Sequence, residues 1–147
     1  MKFLIQRVIE ASVEVNSKKI AKINQGLLVY VGIERTDTID DAKFLLDRVQ
    51  KLKLFSDKNN KFAYTLTDIK GSLLIVPQFT LNGDIRKGSK PDFFKAMNPD
   101  SAEILFTQIK DILLESEYSA SFGIFRSYMH VKSLNDGPVT FILDSRS

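Results

Sequence analysis

Ester or amide hydrolysis from common parts needs a nucleophile held beside a base, and this sequence has few parts to build one from. It contains no Cys, which excludes thiolate nucleophiles, disulfides and sulfur-ligated zinc. Its one imidazole, His130, cannot supply the two or three that a catalytic zinc site takes, so no metal and no cofactor are expected. Within an extended reading His130 alternates with Met129 and Val131 and shares a face with Tyr128 and Lys132, which predicts a solvent-facing side chain. Neither GxGxxG nor GxxxxGK[ST] occurs, and Gly83 and Gly88 stand outside the strand–helix context that a phosphate loop requires. Asp40 with Asp41, and Glu115 with Glu117, are better explained by helix-end electrostatics and solvated faces than by glycosidase chemistry.

Two segments resist dismissal. In Pro77-Gln78-Phe79-Thr80 a polar amide and a hydroxyl follow an apolar strand, where backbone N–H groups leave the ladder and can be aimed at an oxyanion. One such donor contributes typically ~2.7–4 kcal/mol to a transition state; an ordinary strand exit closed by Thr80 is the competing reading. In Asn135-Asp136-Gly137-Pro138 a hairpin turn is expected, but Pro138 cannot donate to the ladder. With only about 5–6% of X–Pro bonds cis in folded proteins, local sequence predicts a trans bond and a plain turn. A cis bond would instead aim the carbonyls of Gly137 and its neighbours outward as a rigid acceptor pair.

The elements that must carry these segments follow from periodicity. Phe3 to Val15 reads as two strands broken near Glu10-Ala11, and Asn16 to Lys19 reads as a turn. Lys19 to Ile23 returns as a strand, and the unbroken apolar run Leu27 to Ile33 belongs mid-sheet. Thr38 caps a helix over 39–52 with its stripe at Ala42, Leu45, Leu46, Val49 and Leu52. Leu54 to Ser56 is extended, Ser72 to Val76 is a strand, and Asn82 to Asp92 is the longest loop. Asn98-Pro99 opens a second helix that ends near Glu117. Three strands then follow, Ser119 to Phe125, Ser127 to Leu134 and Val139 to Leu143. The order predicts one α+β domain over 1–147, a mostly antiparallel, barrel-like sheet with two helices packed on it.

Composition agrees with one folded core: 147 residues, 44% hydrophobic, 27% charged, with 7 Gly and 4 Pro. The 21 Lys+Arg against 18 Asp+Glu leave +3, a balance that permits a nucleic-acid partner without demanding one. The apolar start Met1 to Ile5 meets Arg7 too soon for a signal segment, and no run of about 18 apolar residues occurs, so a cytoplasmic protein without a membrane partner is expected.

Several signposts occur in a fixed order along the chain: Ile5-Gln6-Arg7-Val8 with Ala11-Ser12-Val13, Gly26-Leu27-Leu28-Val29 with Gly32, Arg48-Val49, Phe55-Ser56-Asp57, Gln78-Phe79-Thr80-Leu81, and Met129 with Asn135 to Thr140. In this the chain resembles the D-aminoacyl-tRNA deacylases over essentially its whole length. The resemblance implies hydrolysis of the ester that joins a D-amino acid, or glycine mischarged on alanine tRNA, to the terminal adenosine of tRNA. It implies a homodimer with active sites at the interface, in which a cis Gly137-Pro138 enters the partner's pocket, its main-chain oxygens hold the α-amino group, and an L side chain collides with it. Catalysis is assigned to main-chain N–H groups at Gln78, Phe79 and Thr80 and to the 2′-hydroxyl of the ribose, without a protein acid or base. Asn135, Met129, Pro77 and Arg7 join Gly137 and Pro138 as expected substrate-binding and L-rejecting residues. The family generally carries Ser where this chain has Pro77, which removes a hydroxyl and an N–H. An animal branch of the same fold, which clears a mischarged threonine tRNA, shares the proline but differs over Asn135 to Thr140.

For tRNA phosphates the candidates are Lys18, Lys19 and Lys22 near the first turn and Arg86, Lys87, Lys90 and Lys95 around the long loop. No DNA partner is expected. Two alternatives stay open: editing of a wrong L-amino acid on tRNA, and a catalytically silent RNA-binding module of the same fold.

Overall fold

The computed structural model describes residues 1–147. Eight strands and two helices follow in the order β1 (Lys2–Val15), β2 (Lys18–Ile23), β3 (Gly26–Gly32), α1 (Ile39–Lys51), β4 (Phe55–Ser56), β5 (Phe62–Tyr64), β6 (Ser72–Pro77), α2 (Pro99–Leu114), β7 (Ser119–Phe122) and β8 (His130–Asp144). β8 runs antiparallel to nearly all of β1 along one edge, so β3 and then β2 share the other edge, both antiparallel. β6 joins β3 in parallel and β7 joins β6 in parallel, with α1 and α2 as the crossovers that parallel pairing requires. The antiparallel expectation thus holds for the pairings of β1, and the two crossovers make the whole sheet mixed. β2 curls round to approach β6 and β7, which nearly closes a barrel. The two-stranded β4–β5 ribbon stands apart from the main sheet.

Alternation along the strands builds two cores, one on each face of the sheet, where composition predicts one. Phe3, Ile5, Leu27, Val29, Val31, Leu73 and Ile75 face α1 and α2, meeting the stripe predicted for α1 and Ala102, Leu105, Phe106, Ile109 and Leu113 of α2. Val8, Ala11, Val13, Ile23, Leu28, Leu74 and Val76 fill the inside of the curl, with Met129 and Val131 packed beside them. Each of the fully buried Val, Leu, Ile and Phe side chains contributes roughly 1.5–3 kcal/mol.

Two sequence expectations are corrected by the register. The break expected near Glu10-Ala11 is a β-bulge inside one continuous strand: β1 pairs Val8 with Asn135 and Glu10 with Leu134, which leaves Ile9 as the extra residue. The bulge shifts the phase, so Val8 on one side of it and Ala11 and Val13 on the other enter the same core, and a purely local pattern then looks interrupted. Likewise Asn135 to Pro138 is no hairpin turn between two strands. β8 passes from Thr140, opposite Gln6, to Asn135, opposite Val8, so Asp136 to Val139 loop out of one strand against the single residue Arg7. The Gly137–Pro138 peptide bond is cis, against the trans default. Smaller differences are end effects: α2 stops at Leu114, β7 at Phe122, and β8 begins at His130 rather than Ser127.

Candidate functional site

β6 delivers the first group of site residues. Its last ladder position pairs Pro77 with Val31, where a missing N–H is tolerated at a strand end, and the Gln78 N–H donates to the Val31 carbonyl at 2.8 Å. The chain then tightens into a 3₁₀ turn, Phe79–Asn82, anchored by Asn82, which is 2% exposed and donates from Nδ2 to the Ile33 carbonyl at 2.8 Å. In a 3₁₀ turn the first N–H groups precede any helical acceptor, so those of Phe79 and Thr80 are the donors left for a ligand, while that of Gln78 is spent. The Thr80 hydroxyl is itself occupied, donating to Gln78 Oε1 at 2.5 Å.

A cavity of about 640 Å³ opens beside this turn, and Pro77, Gln78, Phe79 and Met129 line it. Gly123 makes the packing beneath Pro77 and Met129 feasible: a Cβ there would stand 2.9 Å from Met129 Sδ and 3.3 Å from Pro77 Cδ. The cavity also takes Tyr30 and Tyr128, which sequence reasoning missed because their convergence with β6 is a matter of sheet order and the barrel's curl. Burial pushes the Tyr30 hydroxyl above its ordinary range, so at neutral pH it is a hydrogen-bond donor and not a base. Arg126 reaches the cavity too, but its guanidinium is paired with Asp100 and Glu103. No Ser, His and carboxylate converge there, and no cluster of His, Asp and Glu stands where it could hold a metal ion. His130 is exposed as expected, its ring 5.6 Å from that of Tyr128.

The second group lies on the β8 loop-out. Arg7 is 8% exposed; its Nε donates to the Asp136 carbonyl at 2.9 Å, and its Nη1 donates to the Leu54 carbonyl at 2.9 Å and to Ser56 Oγ at 3.0 Å. Asn135 closes the loop from within, its Oδ1 accepting from the Val139 N–H at 2.8 Å. Gly137 sits at φ 142°, where side chains are strained, and a Cβ there would meet Val139 Cγ2 at 2.7 Å and Arg7 Nη2 at 3.2 Å. Gly137 and Pro138 are exposed on a segment tied down at both ends.

Within one chain, then, Pro77, Gln78, Phe79 and Met129 share a cavity, with Thr80 beside them. Arg7, Asn135, Gly137 and Pro138 form a separate cluster that does not line it. Among the cations, Lys18, Lys19 and Lys22 are exposed on β2 and make no ion pair. Arg86 is committed to both oxygens of Asp84, whose carboxyl it holds far below the ordinary carboxylate range, and Lys87, Lys90 and Lys95 are exposed around it.

Comparison with known proteins adds three findings. Residues 4–144 match the family model described as D-Tyr-tRNA(Tyr) deacylase. Relatives named D-aminoacyl-tRNA deacylase include one from Thermodesulfovibrio yellowstonii, 43% identical over 97% of this chain and 98% of its own, and one from Thermotoga petrophila, 43% identical over 99% and 97%. A solved structure titled c-Myc DNA Unwinding Element Binding Protein superposes with a TM-score of 0.90 at 34% identity, covering 98% of both chains. Another, titled as a probable eukaryotic D-amino acid tRNA deacylase, shares the fold with a TM-score of 0.83 at 17% identity over 97% of each chain.

Proposed function

Since the chain belongs to the D-Tyr-tRNA(Tyr) deacylase family, we propose that it discriminates D from L by geometry of the main chain and hydrolyses the ester without a protein nucleophile. It is a D-aminoacyl-tRNA deacylase, cleaving the bond between a D-amino acid and tRNA. The observation that carries the mechanistic reading is the division of the site residues into a cavity with free N–H donors and a rigid loop that does not reach it.

As the ester carbonyl becomes tetrahedral its oxygen gains charge, and the Phe79 and Thr80 N–H groups are the donors to receive it. Water adds to the carbonyl carbon, the bond to the ribose 3′-oxygen breaks, and that oxygen takes a proton with help from the neighbouring 2′-hydroxyl. The Gln78 side chain, held by Thr80, braces the turn, while Pro77 and Met129 form an apolar wall. Gly137 and Pro138 of a second copy enter the cavity, main-chain oxygens hold the α-amino group, and the loop's stiffness turns an L side chain away as a steric clash. Glycine mischarged on alanine tRNA passes the same test, since it presents no side chain on either hand. The reaction takes place in the cytoplasm, where the charged tRNA is.

Three features support a homodimer. One chain keeps its two groups apart, β8 leaves an edge without a strand partner, and that strand exposes Leu134, Phe141 and Ile142, the last at 67%. Incubation with D-tyrosyl-tRNA and L-tyrosyl-tRNA is expected to free the D-amino acid alone. Equal rates, or no turnover of either, would refute the reading, and release of an L-amino acid only would favour an editing enzyme.

A further inference from the structure

Away from the cavity, three strands set a row of side chains side by side on the outer face of the barrel. Ser12 of β1 pairs with Lys22 of β2 on one edge and with Lys132 of β8 on the other. Lys22, Ser12 and Lys132 therefore lie in one lateral row on one face of the sheet. Lys19 and Ser133 complete the walls of a concavity of about 350 Å³. Ser12 is 7% exposed and lines the recess, with no hydrogen-bond partner for its hydroxyl in the chain. A hydroxyl that faces a recess and has no protein partner is free to bond a ligand or water there. Here it opens into a recess rimmed by three ammonium groups.

The electrostatic balance is positive but not extreme. Glu10 lines the recess, and Glu14 takes Lys132 at 3.3 Å. Lys19 and Lys22 have no acidic partner within ion-pair distance. A dianion or monoanion of tetrahedral shape fits this donor set: ammonium groups from two sides and a hydroxyl at the floor, without the planar fork that would select a carboxylate. The recess also stands in a fixed relation to the deacylation machinery. Lys132 precedes Gly137 by five residues on the same strand, at most about 18 Å even if fully extended. If β8 of one copy lends Gly137 and Pro138 to the other copy's cavity, its recess flanks that cavity too.

We infer that the recess of Ser12, Lys19, Lys22, Lys132 and Ser133 binds a backbone phosphate of the tRNA whose 3′ end is being deacylated. The inference rests on the deacylase reading and extends it to a part of the substrate remote from the ester. It makes Lys132 and Ser12 substrate contacts, neither of which is suggested by a cationic cluster near the first turn. It also shifts the anchoring of tRNA away from Arg86, whose charge Asp84 already neutralises.

The test compares two substrates that share the ester and differ in the backbone: D-tyrosyl-tRNA and a D-tyrosyl ester of adenosine alone. The paired variant Lys22→Gln with Lys132→Gln is expected to raise KM for the tRNA by about tenfold, with kcat little changed and a shallower dependence on salt by about one phosphate contact. On the adenosine ester it should match the wild-type protein. Ser12→Ala, a smaller change, should raise KM on tRNA by about threefold. Equal kinetics of wild type and variants on tRNA would overturn the phosphate site. An equal loss on both substrates would also overturn it, since the effect would then come from the cavity. If inorganic phosphate protects the recess lysines from acylation but tRNA does not compete, the recess is a site for free anions and the inference fails. Failure of the deacylase reading looks different, because the wild-type protein would then turn over neither substrate.

Discussion

Arg7 is the residue whose replacement tests most directly whether the Gly137–Pro138 loop owes its position to the rest of the fold. Three hydrogen bonds of 2.9–3.0 Å run from its guanidinium to Asp136, Leu54 and Ser56, and its side chain is only 10% exposed. Hydrogen bonds to charged groups are worth roughly 1.5–3 kcal/mol, and three on one group do not add, while water can reach some of the abandoned acceptors. Replacing Arg7 with Met is therefore expected to cost about 3 kcal/mol, which for a domain of this size lowers Tm by about 6–12 °C. Lys keeps the charge but has no fork to span Leu54 and Asp136 together, so Arg7→Lys should recover part of the stability and little of the positioning. Differential scanning calorimetry gives the first quantity. D- against L-tyrosyl-tRNA turnover, measured well below the melting range, gives the second: both variants should lose at least tenfold in kcat/KM for the D substrate. An Arg7→Met protein as stable as wild type, or fully stable and fully active Arg7→Lys, would refute the reasoning that this side chain clamps the loop.

Two further outcomes follow from the same geometry. Thr80→Ala removes a hydroxyl already engaged with Gln78, so turnover should fall by no more than about tenfold, the order of one hydrogen bond; a loss beyond about a thousandfold would make the hydroxyl the nucleophile. At the start of α1, burial works to raise the pKa of Asp41, but the Thr38 N–H, Ser145, the N-terminal ammonium and Arg146 outweigh it and hold the carboxyl below its ordinary range. A lowered folded pKa stabilises above the unfolded value, about 3.9, and that contribution is lost as pH falls through the folded one. Asp41→Asn should thus melt slightly lower than wild type at pH 7, and the two melting curves should converge in strong acid.

Much of the architecture was legible locally. The stripe Ala42 to Val49 predicted the first helix with its buried face, and the Asn98-Pro99 start predicted the second, because helical periodicity and helix starts are written within one segment. The same holds for β3 and β6, whose unbroken apolar runs follow from burial on both faces. What misled was any feature decided by a distant partner. The Ile9 bulge and the loop-out at Asp136 to Val139 look like strand ends, yet β1 and β8 hold each other in register through both. The cavity was half legible: Pro77 to Phe79 stood out as a strand exit and Met129 as a signpost, whereas Tyr30, Gly123 and Tyr128 carried no signal in their own neighbourhoods.

By itself the amino-acid order determined the chemical vocabulary: without Cys and with a lone outward His130, no familiar nucleophile–base pair could be assembled. It also determined the faces of the helices, since spacing along one segment sets which side chains point together. Only the tertiary structure decided that Gln78 spends its N–H on Val31 while Phe79 and Thr80 keep theirs, that Arg7 reaches across 129 positions to Asp136, and that the loop and the cavity stand apart on one chain. Those outcomes depend on which backbone groups find partners across the sheet, and pairing between remote strands is set by the packing of both cores together rather than by any one stretch of residues.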